Sequence, residues 1–427
     1  MFNKKSLVLG AASALLASGL VGCGGGEAAA DLTYWCPQTD NKVMNALVEA
    51  FKADNPEYKD KNIKNGGNFG EDKAYAELHK SLKKAADVIL MVDDNIREAV
   101  NAEELVDLSA DKSKFVTEAG EEAVASVSVD DKMYGYPYRA DNSPLPIYDK
   151  AVFSDATKLN SLEGMLEACK AAGKKFYLDI GNGWYNAFLI WAGGAQFTVA
   201  KDSKGKDVIR NNVVEKAEEV GEVLKSVKAL FNQYGKDTWV VDSNAGNIEA
   251  GFKDGKIGCA FLWNDTAAIK AGTTAQIGVA GWPTLRVGTN DVKLKCFRSY
   301  KAVVVKDQAE GERLTLAKAF AKYLAEKSSQ EKRLELEYGP ANLEVQKSDG
   351  AKNLEFAGKI LAMANENRVI GQATNVAGAF WDVMGTFGSA ITNGIADGKA
   401  KAWGSQTNAA DFAAACVSAT GWTNYKF

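Results

Sequence analysis

Histidine is almost missing from this chain of 427 residues, with His79 as the single copy. Catalytic triads and metal centres built on several imidazoles are excluded on that ground, and no metal site is expected. An excess of positive charge is missing too. Lys and Arg total 51 against 55 Asp and Glu, a net charge of −4 with no basic block. That balance leaves no electrostatic footprint for nucleic acid. No Gly-Lys pair is followed by Ser or Thr, and no GxSxG run occurs, so neither a phosphate loop nor an esterase elbow is present. Residues 181–186 open like a dinucleotide fingerprint but lack its third glycine, and no cofactor is expected. Fixed-period repeats are absent. What remains, 46% hydrophobic and 25% charged, is the composition of a globular protein.

At the N-terminus, Lys4 and Lys5 precede an uncharged apolar run over residues 6–20. It is shorter than the roughly 20 residues that span a bilayer as a helix, and it reads as a signal-peptide core. The run ends in Leu20-Val21-Gly22-Cys23, which resembles the lipobox of bacterial lipoproteins. That resemblance implies a signal peptide over 1–22 and lipidation of Cys23. Residues 23–30, rich in Gly and Ala, read as a flexible tether holding a folded body off the membrane. The body is expected to be extracytoplasmic and to meet the membrane through its lipid only. Five cysteines remain, Cys36, Cys169, Cys259, Cys296 and Cys416, an odd number without CxxC spacing. Buried thiols are the better reading, with a Cys259–Cys296 bridge left open.

Residues 32–36 form a β-rich run, and Met44, Leu47, Val48 and Phe51 recur at helical spacing until Asn55-Pro56 ends the pattern. A second helix over 71–85 and a continuous apolar strand over 88–92 repeat that order, the mark of a parallel α/β unit. His79 lies on that helix near Tyr75, Leu78 and Leu82 and is expected to be partly buried and structural. Strands are expected at 176–180, 256–263, 277–282 and 300–305, with helices from 185 and over 212–234. From Glu312 onward the chain reads as almost wholly helical, over 314–324, 353–364, 380–395 and 409–417.

Several aromatic and polar residues fall at strand ends, where ligands bind in parallel α/β sheets. Trp35 ends the first strand, Asp93 and Asp94 follow the strand at 88–92, and Arg139, Asp141 and Asn142 lie in a Pro-rich crossing. Asn182, Trp184 and Tyr185 begin a helix, Trp263 closes a strand, and Trp381 lies in the last quarter. A sugar suits this set: its C–H face stacks on indole, and its hydroxyls pair with Asp, Asn and Arg. For any single tryptophan, a place in the core competes with that role.

Residues 132–137, Lys-Met-Tyr-Gly-Tyr-Pro, with 147–150, Ile-Tyr-Asp-Lys, resemble a crossing segment of the solute-binding proteins of bacterial ABC importers, in the maltodextrin-binding branch. Residues 252–259, Phe-Lys-Asp-Gly-Lys-Ile-Gly-Cys, resemble the family's F-x-x-GK-x-AM segment, and Gly281-Trp282-Pro283 its next strand end. Residues 319–324 with Gln330 match a family helix, and Ala379-Phe380-Trp381 resembles the C-terminal helix bearing a sugar-stacking tryptophan. The sequence departs from the pattern at Asp131 for Gly, at Asp149 for Asn and at Gly385 for Arg.

The resemblance implies an α/β fold of two lobes around an interlobe cleft, closing by a hinge on bound ligand. The lobes would be 31–140 plus 299–342 and 143–298 plus 344–427. Its site residues fall on Gln38, Thr39 and Asp40 after the first strand, Asp94 beside Asp93, Asp141 or Asn142, Asn182 with Trp184, and Trp381. Trp263 neighbours a further stacking position that falls on Asp265 by strict count. The protein is therefore expected to be a non-enzymatic monomer that captures a carbohydrate, foremost a malto-oligosaccharide, and hands it to an ABC permease. The alternatives are a non-sugar solute in the same fold and a glycoside hydrolase, which needs two carboxylates flanking the sugar.

Overall fold

The computed structural model of the protein describes residues 29–201, 203, 207–264, 266–366, 369–371, 381, 384 and 385. Cys23, the signal segment and most of the tether lie outside these residues. So do Cys416, the helix expected at 409–417 and most of that expected at 380–395.

The first strand, Leu32–Cys36, pairs in parallel with Ile63–Asn68 on one side and Val88–Val92 on the other. A parallel sheet covered on both faces needs strands that are apolar throughout, and Val88–Val92 is buried at every position. The covering helix Asn41–Asp54 buries Val43, Met44, Leu47, Val48 and Phe51. It stops where the Asn55 side chain caps the Phe51 carbonyl at 2.8 Å ahead of Pro56. Ile63–Asn68 carries no strand signal in its Asn-Gly-Gly centre and was not expected. The ring of Trp35 explains the glycines, because a Cβ at Gly67 would lie 2.6 Å from Phe69 and 3.1 Å from the indole nitrogen of Trp35. Trp35 is buried there, one residue short of the strand end.

Two long strands carry the chain between the lobes. Gly135–Asn142, expected as a Pro-rich crossing, is a buried strand antiparallel to Cys296–Val305. The latter starts four residues before the expected 300. Cys296 and Phe297 belong to one hydrophobic core, whereas Ala302 to Val305 belong to the other. A third connection leaves Gly339 and returns to the second core at Phe356. The second sheet runs Trp239–Val240, Lys175–Tyr177, Ile257–Leu262, Leu145–Asp149, Ile277–Val279. Its first three strands are parallel and Leu145–Asp149 is antiparallel to its neighbours. Each lobe therefore has its own sheet and core, and the crossing strands form the wall between them.

Some expectations are corrected. The last quarter is not all helix: after Ala357–Asn365, the strand Val369–Gly371 pairs in parallel with Cys296 to Arg298. The helix expected at 212–234 runs Ala217–Thr238, broken at Gly235, whose φ of 64° ends regular helix. Hairpins at Phe197–Lys201 with Asp207–Asn211, and at Thr284–Val287 with Asn290–Lys293, were not foreseen. The bridge left open between Cys259 and Cys296 does not form: both are buried thiols, as are Cys36 and Cys169. Burial pushes the Cys169 thiol up to about 12. His79 is not partly buried. Its side chain is 62% exposed, with Nδ1 2.9 Å from Glu104. Among the described residues no helix is long and apolar enough to cross a membrane, and no cluster of three metal-ligating side chains occurs.

Candidate functional site

The first half of the site is an aromatic shelf on the second lobe. Asn182 starts the helix Gly183–Ala192 by accepting the Trp184 N–H at 3.0 Å, and its amide donates to Ser243 Oγ at 3.2 Å. Ser243 in turn donates to Asp179 at 2.8 Å. The Asn182 side chain is thus committed to capping, and capping fixes where Trp184 emerges. Gly183 is needed for a second reason. A Cβ there would collide with the Trp381 carbonyl oxygen and lie 2.8 Å from Met384, so glycine admits that segment against the helix start.

Trp184 and Trp381 stack with centroids 4.1 Å apart and planes at 22°. Trp263 meets Trp184 edge-on at 6.1 Å. Phe297 lies 5.1 Å from Trp381, 5.6 Å from Trp184 and 5.8 Å from Trp263. Three tryptophans separated by up to 197 positions in sequence are thus brought together. Their roles differ, however. Trp381 and Phe297 are buried, whereas Trp184 and Trp263 are half-buried. Trp381 gives one face to Trp184 and backs the shelf, with Trp184 and Trp263 as its partly exposed members. Phe297 was missed because no motif marks it. Only the extension of its strand across the lobe boundary brings it under the indoles.

The second half is a buried polar network. Arg139, on the strand Gly135–Asn142, donates from Nε and Nη2 to both oxygens of Asp141 at 2.9 and 3.1 Å, and from Nη1 to Glu71 at 3.1 Å. The ring of Tyr338 lies 3.4 Å from the guanidinium carbon. Glu71 also accepts from Tyr138 at 2.9 Å and faces Lys301 at 3.3 Å. Burial alone would raise the Glu71 carboxyl, yet Lys301 and Arg139 hold it down at about 2. Tyr338 donates to Asp40 at 2.6 Å, and burial with the Glu71 charge raises the Asp40 carboxyl. Asp141 accepts the Gly339 N–H at 2.9 Å and the Asn264 amide at 3.4 Å. Asn264 directly follows Trp263, so shelf and network are contiguous.

Asp93 and Asn142 hold the crossing strand. Asp93 accepts the Tyr300 N–H at 2.8 Å, and Asn142 donates to Ser299. Burial and the charge of neighbouring Asp94 push the Asp93 carboxyl well above its ordinary range, against the donors Tyr300, Ser126 and Ser299. Asp94, half-buried, is pushed to about 7 by burial, Glu98 and Asp72. Gln38 is exposed on a 3-10 turn, with Asp40 buried at its end. Among the expected polar residues, Asp40, Asp93, Asp141, Asn142 and Asn182 are engaged by protein groups. The Asp94 carboxyl is engaged by backbone N–H groups of Asp94 and Asn95, and Gln38 is exposed. Glu71, Tyr338, Asn264 and Phe297 were not among the expected site residues, and Arg139, expected to pair with sugar hydroxyls, is committed to Asp141 and Glu71.

The model of a family described as bacterial extracellular solute-binding protein matches residues 46–357, well over half of the chain. The chain belongs to that family. Its members act outside the cytoplasm, and the two-lobed α/β architecture is theirs. No curated protein matches this solute-binding protein. Among solved structures, a maltodextrin-binding protein from L. casei BL23 without ligand is 21% identical at a TM-score of 0.73, covering 90% of this chain and 98% of its own. A Thermus thermophilus maltotriose-binding protein bound with maltotriose is 18% identical, with a TM-score of 0.69 and coverages of 91% and 99%. The maltose-maltodextrin binding protein of the thermoacidophilic bacterium Alicyclobacillus acidocaldarius is 16% identical, with a TM-score of 0.67 and coverages of 90% and 99%. At these identities the likeness establishes the fold.

Proposed function

We propose that this protein is the lipid-anchored capture component of an ABC importer, binding a malto-oligosaccharide between its lobes and delivering it to a membrane permease without chemical turnover. The observation that carries the reading is the shelf of half-buried Trp184 and Trp263, backed by Trp381 and Phe297, beside a polar network at the lobe boundary. A pyranose ring matches that arrangement, with its apolar face on indole and its hydroxyls toward the polar wall. The maltodextrin, maltotriose and maltose named for the structural neighbours support the same cargo. Attachment through Cys23 and a monomeric state belong to this proposal and rest on the sequence.

The two carboxylates held by Arg139 are not set up for hydrolysis. A glycosidase needs one carboxyl free to donate a proton and another free to attack or activate water. Asp141 and Glu71 are both tied to Arg139.

The chain starting at residue 31 can be tested by thermal shift against mono- and oligosaccharides. Ligand at about 100 times its Kd stabilises the native state by about 2.7 kcal/mol, a readily visible rise in Tm. A rise with α-1,4-linked oligomers, with no shorter product on prolonged incubation, supports capture. A folded protein silent to every sugar refutes it and directs the search to non-sugar solutes.

A further inference from the structure

We propose that Asn264 and the turn Glu337-Tyr338-Gly339 form a clasp between the lobes that holds without ligand, making Asn264 a positioning residue for capture. The clasp rests on contacts independent of any sugar. Its role in affinity rests on the capture reading above.

Asn264 stands in the loop after the second-lobe strand Ile257–Leu262, immediately beyond Trp263. Its amide nitrogen donates across the boundary to the Glu337 carbonyl at 3.1 Å and reaches Asp141 Oδ2 at 3.4 Å. The receiving side is built for this. Glu337 holds φ 59° and ψ 26°, a left-handed conformation that a residue with a side chain rarely adopts. The residues that follow use the turn. The Tyr338 ring covers the Arg139 guanidinium at 3.4 Å, and the Gly339 N–H donates to Asp141 at 2.9 Å. A Cβ at Gly339 would lie 2.7 Å from that of Asp141, so glycine permits the approach. Three consecutive residues thus give Asn264 a carbonyl, Arg139 a ring and Asp141 a donor.

Asp141 is one of the two positions, with Asn142, onto which the resemblance places an acidic residue of the crossing segment. Here both its oxygens are held by Arg139 two residues away on the same strand, and Oδ2 takes Gly339 and Asn264 as well. Four hydrogen bonds from protein donors hold this carboxylate, which makes it an anchor for the opposite lobe. Trp263, tethered through its neighbour, is then presented to the cleft before ligand arrives. A protein that spends most of its time in the binding-competent arrangement loses little apparent affinity to the competing one.

The test is small-angle scattering of the ligand-free chain from residue 31, as wild type, N264A and N264D, with W263A as control. Circular dichroism would verify that each variant is folded. N264A should raise the unliganded radius of gyration. N264D should raise it further at pH 7, because a carboxylate then faces Asp141 and a carbonyl, and part of that excess should vanish at pH 4. W263A should keep wild-type dimensions while losing sugar affinity. Calorimetry with maltotriose should show N264A binding about tenfold more weakly, the tax of a less populated competent state. Unchanged ligand-free dimensions in both N264A and N264D overturn the clasp, whatever maltotriose does. A clasp that opens as described in a protein blind to every sugar leaves the clasp standing and removes the cargo.

Discussion

Replacing Arg139 by methionine removes the cation at the centre of the buried network while keeping most of its volume. Arg139 meets Asp141 through two hydrogen bonds and Glu71 through one, and its side chain is 5% exposed. Glu71, held at about 2 against an ordinary 4.5, owes its ionised form to this arginine and to Lys301. That displacement corresponds to about 3 kcal/mol of stability at neutral pH, shared between the two cations. Asp141 would be left as a buried carboxylate with amide donors only, and breaking such a pair typically costs about 3 to 5 kcal/mol. The two effects share one residue and do not add. R139M should therefore lose about 4 kcal/mol at pH 7 in urea denaturation followed by tryptophan fluorescence. D141N in the same chain should recover part of that loss, since it removes the orphaned charge.

The pH dependence adds a second readout. A carboxyl with a depressed folded pKa stabilises above its unfolded value and loses that contribution as pH falls through the folded value. For Glu71 the wild-type loss runs from about 4.5 down to about 2. Without Arg139 the folded value rises and the loss is complete at higher pH. A variant destabilised by less than about 1 kcal/mol at pH 7, with an acid limb parallel to wild type, would refute the assignment of Arg139 as the shared counterion.

Trp184→Ala and Trp263→Ala should each weaken maltotriose binding more than tenfold, a loss of about 1.4 kcal/mol, and unchanged titration curves with intact folding would misplace the shelf. Trp381→Ala should weaken binding too, but by unseating Trp184, so its loss should be accompanied by a lower Tm. Asp94, with a folded value near 7 against 3.8, is protonated in the native state where the unfolded chain is ionised. Native protein then binds more protons, and stability falls as pH rises from about 4 to 7. Asp94→Asn should be more stable than wild type at pH 8 and equal to it at pH 4, and parallel Tm profiles would exclude this. The buried thiols Cys36, Cys169, Cys259 and Cys296 should resist a disulfide reagent in the native C416S chain and react on unfolding. Rapid labelling before unfolding would show that the cores are open.

The strand at 32–36 was legible from its β-formers, and that at 88–92 because a doubly covered parallel strand must be apolar throughout, a pattern visible in one dimension. Ile63–Asn68 was not, since its glycines answer to the Trp35 ring rather than to strand propensity. The long strand Cys296–Val305 was read only from Tyr300 because its first residues pack in a different core from its last. At the site, Trp184, Trp263 and Trp381 were singled out by their places at a helix start, a strand end and the C-terminal region, and family resemblance fell on Trp184 and Trp381 but only beside Trp263. The charges were harder. Asp141 was one of two candidates for the acid of the crossing segment, yet nothing in its neighbourhood announces that Glu71, 68 positions before Arg139, competes for the same guanidinium. Asn182 was read at a helix start, but sequence could not tell that Trp381 faces Trp184, because that depends on a close approach at Gly183. Pairings between distant segments are set by tertiary packing, and a single sequence holds no record of them.

The most direct test of capture is calorimetric titration of maltotriose into the chain from residue 31, with the W184A/W263A double variant beside it. Binding to the shelf predicts a saturable one-to-one isotherm for wild type, none for the double variant at the same concentrations, and maltotriose recovered intact afterwards. A wild-type protein that is folded yet gives no isotherm, or a double variant that binds as tightly as wild type, would contradict sugar recognition by Trp184 and Trp263.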